Sequence, residues 1–446
     1  MRGTLLLSLA TLCAVPAAWA DGMLDPDFGT GGLVLTNFGT GSIDAAGALV
    51  VQPDGRAIAA GSVQLNLAQG FMGAARYLPS GALDPSFDGD GLLTVNFNVA
   101  APDISGGVGQ VLFQPDGRII LVGFVGQSTP GPPGFLLNYA LARLNVDGSF
   151  DGSFGTGGKV LTPMTSGVAA GTDGVLQPDG RIVVLGTTES SSEPVLALAR
   201  YNPDGTLDGT FGVAGQVSLP LPVPFRGGAL ALQSDGKVLI AGFTGGSVAL
   251  TDIGLVRLLP AGAPDPTFDG DGFVQSDFGA LEFASSVAVL GDGRIVVAGH
   301  RTTPPPTPTA DLALVRYLPN GAIDTTFGTA GLATADAGAE EFGQELLVQP
   351  DGKLLLAGTL FGSPSQDFLL ARFLADGAHD TTFGTAGFLR TDFGAMNAEI
   401  LFAAALAGPD RILAAGRAMT MSGFDDFGLA RYIASTPVEG MSFSVE

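Results

Sequence analysis

The most regular pattern along this chain is an apolar run, a polar turn centred on Asp-Gly, a basic residue, and a second apolar run. In one copy Leu347-Val348 leads into Gln349-Pro350-Asp351-Gly352-Lys353, and Leu354-Leu355-Leu356-Ala357 follows. Asp-Gly between two β-rich runs predicts a hairpin, because a tight turn that matches strand twist needs positive φ. The same turn stands at Asp54-Gly55-Arg56, Asp116-Gly117-Arg118, Asp179-Gly180-Arg181, Asp235-Gly236-Lys237 and Asp292-Gly293-Arg294. A seventh copy, Pro409-Asp410-Arg411, lacks the Gly after Asp. The second apolar run usually ends in Gly.

Two further signatures keep the same count. Asp-x-x-Phe followed by Gly or Asp recurs with its aromatic at Phe28, Phe87, Phe154, Phe211, Phe268, Phe327 and Phe383, so the steps are 59, 67, 57, 57, 59 and 56 residues. Arg76-Tyr77, Arg143-Leu144, Arg200-Tyr201, Arg257-Leu258, Arg316-Tyr317, Arg372-Phe373 and Arg431-Tyr432 each close an apolar run. Within a unit the pattern predicts four strands, for example about Lys159 to Pro163, Gly174 to Gln177, Arg181 to Gly186 and Val195 to Tyr201. Runs such as Ile182-Val183-Val184-Leu185 are apolar at consecutive positions, as strands covered on both faces are. Repeats of this kind predict an all-β protein, a seven-bladed β-propeller of four-stranded antiparallel blades. A β-solenoid is the competing architecture, but its coils are usually shorter and more uniform. The closure of the ring has two readings. Either the unit is the blade and no strand is exchanged, or the two are offset and the tail Met441 to Glu446 completes a sheet.

The strings Leu347-Val348-Gln349-Pro350-Asp351-Gly352-Lys353, Ala371-Arg372-Phe373 and Asp380-Thr381-Thr382-Phe383-Gly384-Thr385-Ala386-Gly387, so spaced, resemble the delta-60 repeat family of bacterial exported proteins. The likeness runs from about Asp25 to Tyr432. It implies a propeller-like fold in a secreted or surface setting and brings no catalytic residue or ligand with it.

The N-terminus agrees with export. Arg2, the apolar stretch Leu5 to Val15 and the small-x-small site Ala18-Trp19-Ala20 read as a signal peptide over residues 1–20, leaving a seven-repeat propeller over 21–432 and a tail over 433–446. Cleavage there removes the only Cys and the only Trp, so no disulfide or thiol chemistry is expected of the mature protein. No later segment has the roughly 20 apolar residues of a membrane-spanning helix. The expected location is the periplasm, cell surface or extracellular space. A net charge of −23 argues against nucleic acid, whose phosphates need Lys or Arg, and the protein is expected to be a monomer.

Repetition separates scaffold from site, because a scaffold residue recurs in every unit while a single site breaks the repeat. The seven basic residues after the Asp-Gly turns and the seven closing arginines are read as partners of the motif Asp, with a ring of arginines binding an anion as the alternative. The motif phenylalanines are read as plugs between blades. Asp88-Gly89-Asp90-Gly91 and Asp269-Gly270-Asp271-Gly272 offer carboxylates, and Asp88, Asp90, Asp269 and Asp271 are the candidate calcium ligands. His379 stands in a repeat slot held elsewhere by Leu83, Leu207 and Ile323, whereas His300 opens a Pro-rich loop and is the better placed of the two histidines for chemistry. Neither has Cys nearby, no catalytic set converges, and no cofactor other than calcium is implied. The connections Gln127 to Gly134, Thr187 to Pro194 and His300 to Asp311 vary most, and binding usually resides in such loops. The functional expectation is an exported, non-enzymatic scaffold that binds a protein, glycan or cell-envelope partner through these loops. The alternative is a calcium-dependent propeller hydrolase or lactonase.

Overall fold

The computed structural model describes residues 21–434 apart from the short stretches 67–68, 98–102, 129–134, 164–167, 190–193, 246–250, 304–308, 363–364, 395–397 and 421–422. Residues 1–20, read above as a signal peptide, the distal tail and most of the variable connections therefore lie outside the described residues.

The protein is a seven-bladed β-propeller of four-stranded antiparallel blades. In the first blade the strands run, from the axis outward, Ile43–Val51, Ala57–Asn66, Gln69–Tyr77 and Leu92–Val95. The fifth repeats this order with Leu281–Val289, Ile295–Thr302, Ala310–Tyr317 and Leu332–Ala335. The second and third strands are sandwiched between neighbouring blades, which explains their unbroken apolar runs. Ile182, Val183, Val184 and Leu185 are fully buried, and apolar clusters link side chains of adjacent blades all round the ring.

The sequence unit and the blade are out of phase. Lys159–Thr162, read from sequence as the first strand of its unit, pairs with Phe135–Leu144 and is the outer strand of the preceding blade. Ring closure follows from this offset, and the chain's beginning supplies it. Leu33–Thr36 pairs with Asp425–Ile433 as the outer strand of the seventh blade, and Met23–Leu24 adds a short pairing beside it. The offset reading of closure is thus the correct one, with an N-terminal strand in the position considered for Met441 to Glu446. The seventh hairpin keeps its turn by moving the glycine: Gly408, at φ 94°, stands before Pro409 instead of after Asp410, and Ala407 N donates to Arg411 O at 2.8 Å.

Each inner strand carries a β-bulge near its middle, at Gly47, Gly109, Thr172, Gly228, Ser285, Gln344 and Phe402. The glycine near the end of each second apolar run is explained here. A Cβ on Gly61 would collide with the carbonyl oxygen of Ala45, and one on Gly299 with that of Phe283, so the bulged strand approaches closely only where the side chain is absent.

Candidate functional site

Antiparallel order puts the Asp-Gly hairpins and the Asp-x-x-Phe turns at one end of every blade, and the variable connections at the other. The hairpin end is a closed belt of ion pairs. Every closing arginine meets the motif Asp of its own blade through Nε, at 2.8 Å in six cases and 2.9 Å for Arg431. The same Asp oxygen also faces the basic residue after the Asp-Gly turn, from 2.7 Å for Arg411 and Asp25 to 3.9 Å for Lys353 and Asp380. Each arginine lies over the motif phenylalanine, 4.4–4.8 Å from carbon to ring centre, a cation–π geometry. Six of the arginines reach a backbone carbonyl in the next blade, Val146, Pro203, Pro260, Pro319, Ala375 or Pro79, while Arg372 meets Asp21.

Fourteen basic side chains are thereby held by carboxylates of the chain itself, and among the described residues these arginines form no free ring to bind an anion. Burial raises the Asp84 pKa, but hydrogen bonds from Ser86 and Arg56 and the charge of Arg76 outweigh it and hold the group at about 2. Asp265 sits at about 2 through the same balance, with Thr267 and Arg257 as partners. The motif phenylalanines are at most 2% exposed and act as interblade plugs. His379 occupies the repeat slot assigned to it, bridging Phe373 as Leu83 bridges Tyr77.

The axis holds what the repeat does not. A cavity of about 290 Å³ is walled by the bulges of the inner strands. The residue after each bulge is Ala48, Gln110, Asp173, Ala229, Ser286, Glu345 or Ala403, so only some units place a polar group there. Asp173 accepts hydrogen bonds from Gln110 Nε2 at 3.1 Å, Gly174 N at 2.7 Å and Leu230 N at 2.6 Å. Glu345 accepts from Ser286 Oγ at 3.3 Å. Removal from bulk water pushes Asp173 up to about 6, and the same effect together with the Asp173 charge pushes Glu345 up to about 8. Both side chains are half-buried in the wall of this axial cavity. Sequence inspection passed over this pair. Comparing the seven units at the residue after the bulge would have isolated it.

The loop-bearing end is acidic. Three carboxylate trios, Asp252 with Asp277 and Glu282, Asp311 with Asp336 and Glu341, and Asp367 with Asp392 and Glu399, each bring three oxygens within 4.8 Å of one another. Each spans two blades: the first residue opens the third strand of one, the second follows its outer strand, and the glutamate lies at the start of the next inner strand. His300 stands nearby in an aromatic row, stacked on Phe283 at 4.8 Å and edge-on to Phe342 at 4.6 Å. Phe243 and Phe361 extend the row at its two ends, and burial pulls the His300 pKa down to about 4. An apolar cage of this kind keeps the imidazole neutral, and among the described residues no carboxylate bonds to it.

The four aspartates considered for calcium are elsewhere. Asp88 and Asp269 adopt left-handed φ of 49° and 51° in exposed turns at the hairpin end. Asp90 and Asp271 accept the backbone N–H of Leu92 and Phe273, both at 2.9 Å. The two turns belong to different blades, so the four do not form one group.

Six stretches, 52–87, 114–154, 177–211, 233–268, 290–327 and 349–383, match the family described as "Domain of unknown function (DUF5122) beta-propeller". These six repeats are similar to those of that propeller family. Each matched stretch runs from an Asp-Gly hairpin to an Asp-x-x-Phe turn, that is, along the belt-forming half of the unit. Among curated proteins none matches this chain in sequence. Among solved structures, a polysaccharide lyase, an ulvan lyase bound to a GlcA–Rha3S unit, aligns at 12% identity over 86% of this chain and 90% of that one, with a TM-score of 0.52. Drosophila semaphorin 2a aligns at 8% identity over 94% and 77%, with a TM-score of 0.50. At such identities the likeness is one of fold. No helix among the described residues is long and apolar enough to cross a membrane.

Proposed function

We propose that this is an exported, non-enzymatic binding scaffold whose loop-bearing end engages a protein or glycan partner of the cell envelope. The observation that carries this reading is an asymmetry in how charge is paired, since both ends carry acidic side chains. At the hairpin end the basic side chains are spent on internal pairs, while the other end gathers acidic groups around a few arginines, Arg226, Arg301, Arg390 and Arg417. Such a surface favours partners bearing cationic groups and steers their approach. Mature protein immobilised through its tail should retain envelope components in a salt-sensitive manner, and charge-reversing substitutions at Asp277 and Asp336 should weaken retention. Turnover of a defined polysaccharide or lactone by the purified protein would overturn the non-enzymatic reading.

A second reading rests on the channel pair. Two carboxyls with raised pKa values in one cavity have the makings of general acid and base. If the protein hydrolyses a substrate, Asp173→Asn and Glu345→Gln should each abolish turnover while leaving the melting temperature within a few degrees.

A further inference from the structure

We propose that Asp311, Asp336 and Glu341 form a calcium site at the junction of the fifth and sixth blades, on the loop-bearing end. Calcium–oxygen distances of about 2.3–2.6 Å put ligand oxygens on opposite sides of one ion up to about 5 Å apart. The three oxygens, all within 4.8 Å of one another, fit that span.

The second observation is a buried carboxylate oxygen without a partner. Glu341 is fully buried; its Oε1 accepts the backbone N–H of Ala339 at 2.9 Å, but its Oε2 is buried with no hydrogen bond. A buried carboxylate oxygen left unpaired is costly. Asp336 is anchored in turn, Oδ1 accepting Gly338 N at 2.7 Å. An ion bound among the three would satisfy the free Glu341 oxygen and draw its remaining ligands from water and the exposed Asp336.

The two sister trios show what the middle one lacks. At the equivalent position of the outer strand the fourth blade has Gln275, which donates to Asp252 at 2.5 Å, and the sixth has Arg390, which pairs with Asp367. The fifth blade has Thr334 there, exposed and too short to offer a charge. Arg301 lies opposite Asp311 in the strand ladder. Its guanidinium is directed to Glu282, at 3.5 Å, and to the carbonyl of Phe278, at 2.9 Å. The protein thus supplies a side-chain donor from the outer strand to Asp252 and Asp367 and none to Asp311; the buried glutamate keeps at least one unpartnered oxygen in all three trios, so the middle one differs in having no donor on its Asp either. This inference stands apart from the identity of any partner and is tested without one.

The experiment is calorimetric titration of metal-free mature protein with calcium chloride, with thermal melts in calcium and in chelator. Wild type should bind calcium with a dissociation constant of about 10⁻⁴–10⁻³ M, the range of extracellular modules, and melt at higher temperature in its presence. Glu341→Gln should lose this binding. Thr334→Arg, which reproduces the Arg390 arrangement, should melt in chelator at or above wild type and no longer respond to calcium. A control that removes the four turn aspartates, Asp88, Asp90, Asp269 and Asp271, to Asn should keep the response. Wild-type protein that binds no calcium at millimolar concentration overturns the site, as does unchanged binding in both Glu341→Gln and Thr334→Arg.

Discussion

The two ends of this propeller treat charge in opposite ways. At the hairpin end each motif Asp is met by two cations and a hydroxyl or backbone donor, so its pKa is depressed and the arrangement repeats in every blade. Along the axis and at the loop-bearing end, carboxylates such as Asp173, Glu345, Glu341 and Glu399 have no paired cation, their pKa values rise, and neighbouring units differ. Saturated, symmetric charge marks scaffold. Unsaturated, asymmetric charge marks where the protein is open to something outside itself.

The largest effect should come from removing the belt's seventh member. Deletion of residues 21–36 takes away the closing strand, Asp25 and Phe28, and leaves Arg431 without its partner; the cooperative thermal transition followed by circular dichroism should be lost. Retention of a wild-type transition would refute the closure described above. Next, Arg257→Ala leaves Asp265, 1% exposed, without its main partner, and chemical denaturation should show a loss of about 3–5 kcal/mol.

The pH dependence separates the two regions by sign. Glu345 and Asp173 have folded pKa values raised to about 8 and about 6, so their contribution to stability is full at low pH and is lost as pH rises through those values. In chelating buffer the melting temperature should fall between pH 5 and pH 8.5. Glu345→Gln should reduce that fall by about a few degrees, the remainder coming from Asp173 and the other raised carboxylates. Asp84 and Asp265, depressed to about 2, stabilise above their unfolded pKa and lose this as pH drops from about 4 toward 2, a limb that Glu345→Gln should not alter. A steeper high-pH limb in Glu345→Gln would contradict the channel assignment. The smallest effect should be that of Arg118→Gln, because this side chain is 39% exposed and its neighbour Asp116 is 53% exposed. Denaturation should register less than about 1 kcal/mol.

What could be read from sequence follows the same division. The Asp-Gly hairpins, the Arg-Asp pairing and the buried phenylalanines were legible because each recurs in unit after unit, and local turn chemistry fixes their geometry. The phase of the blade was not, since a tandem repeat can be cut at any point, and only the pairing of Lys159–Thr162 with the preceding blade decides it. Asp173 and Glu345 were hidden because a bulge resets which side chain faces the axis, and each is a single departure within its unit. The trios were hidden because each is assembled from three segments of two blades. The turn aspartates drew attention as a dense acidic string, yet density along the chain did not translate into convergence in space.

The offset between unit and blade also bears on how such proteins arise. A unit duplicated or lost in tandem carries the outer strand of one blade together with the three inner strands of the next, so every internal junction is regenerated whole. The latch made by Leu33–Thr36 and Asp25 lies at the chain's start and is indifferent to how many units follow. Blade number in this architecture can therefore drift by simple recombination, with closure inherited intact each time.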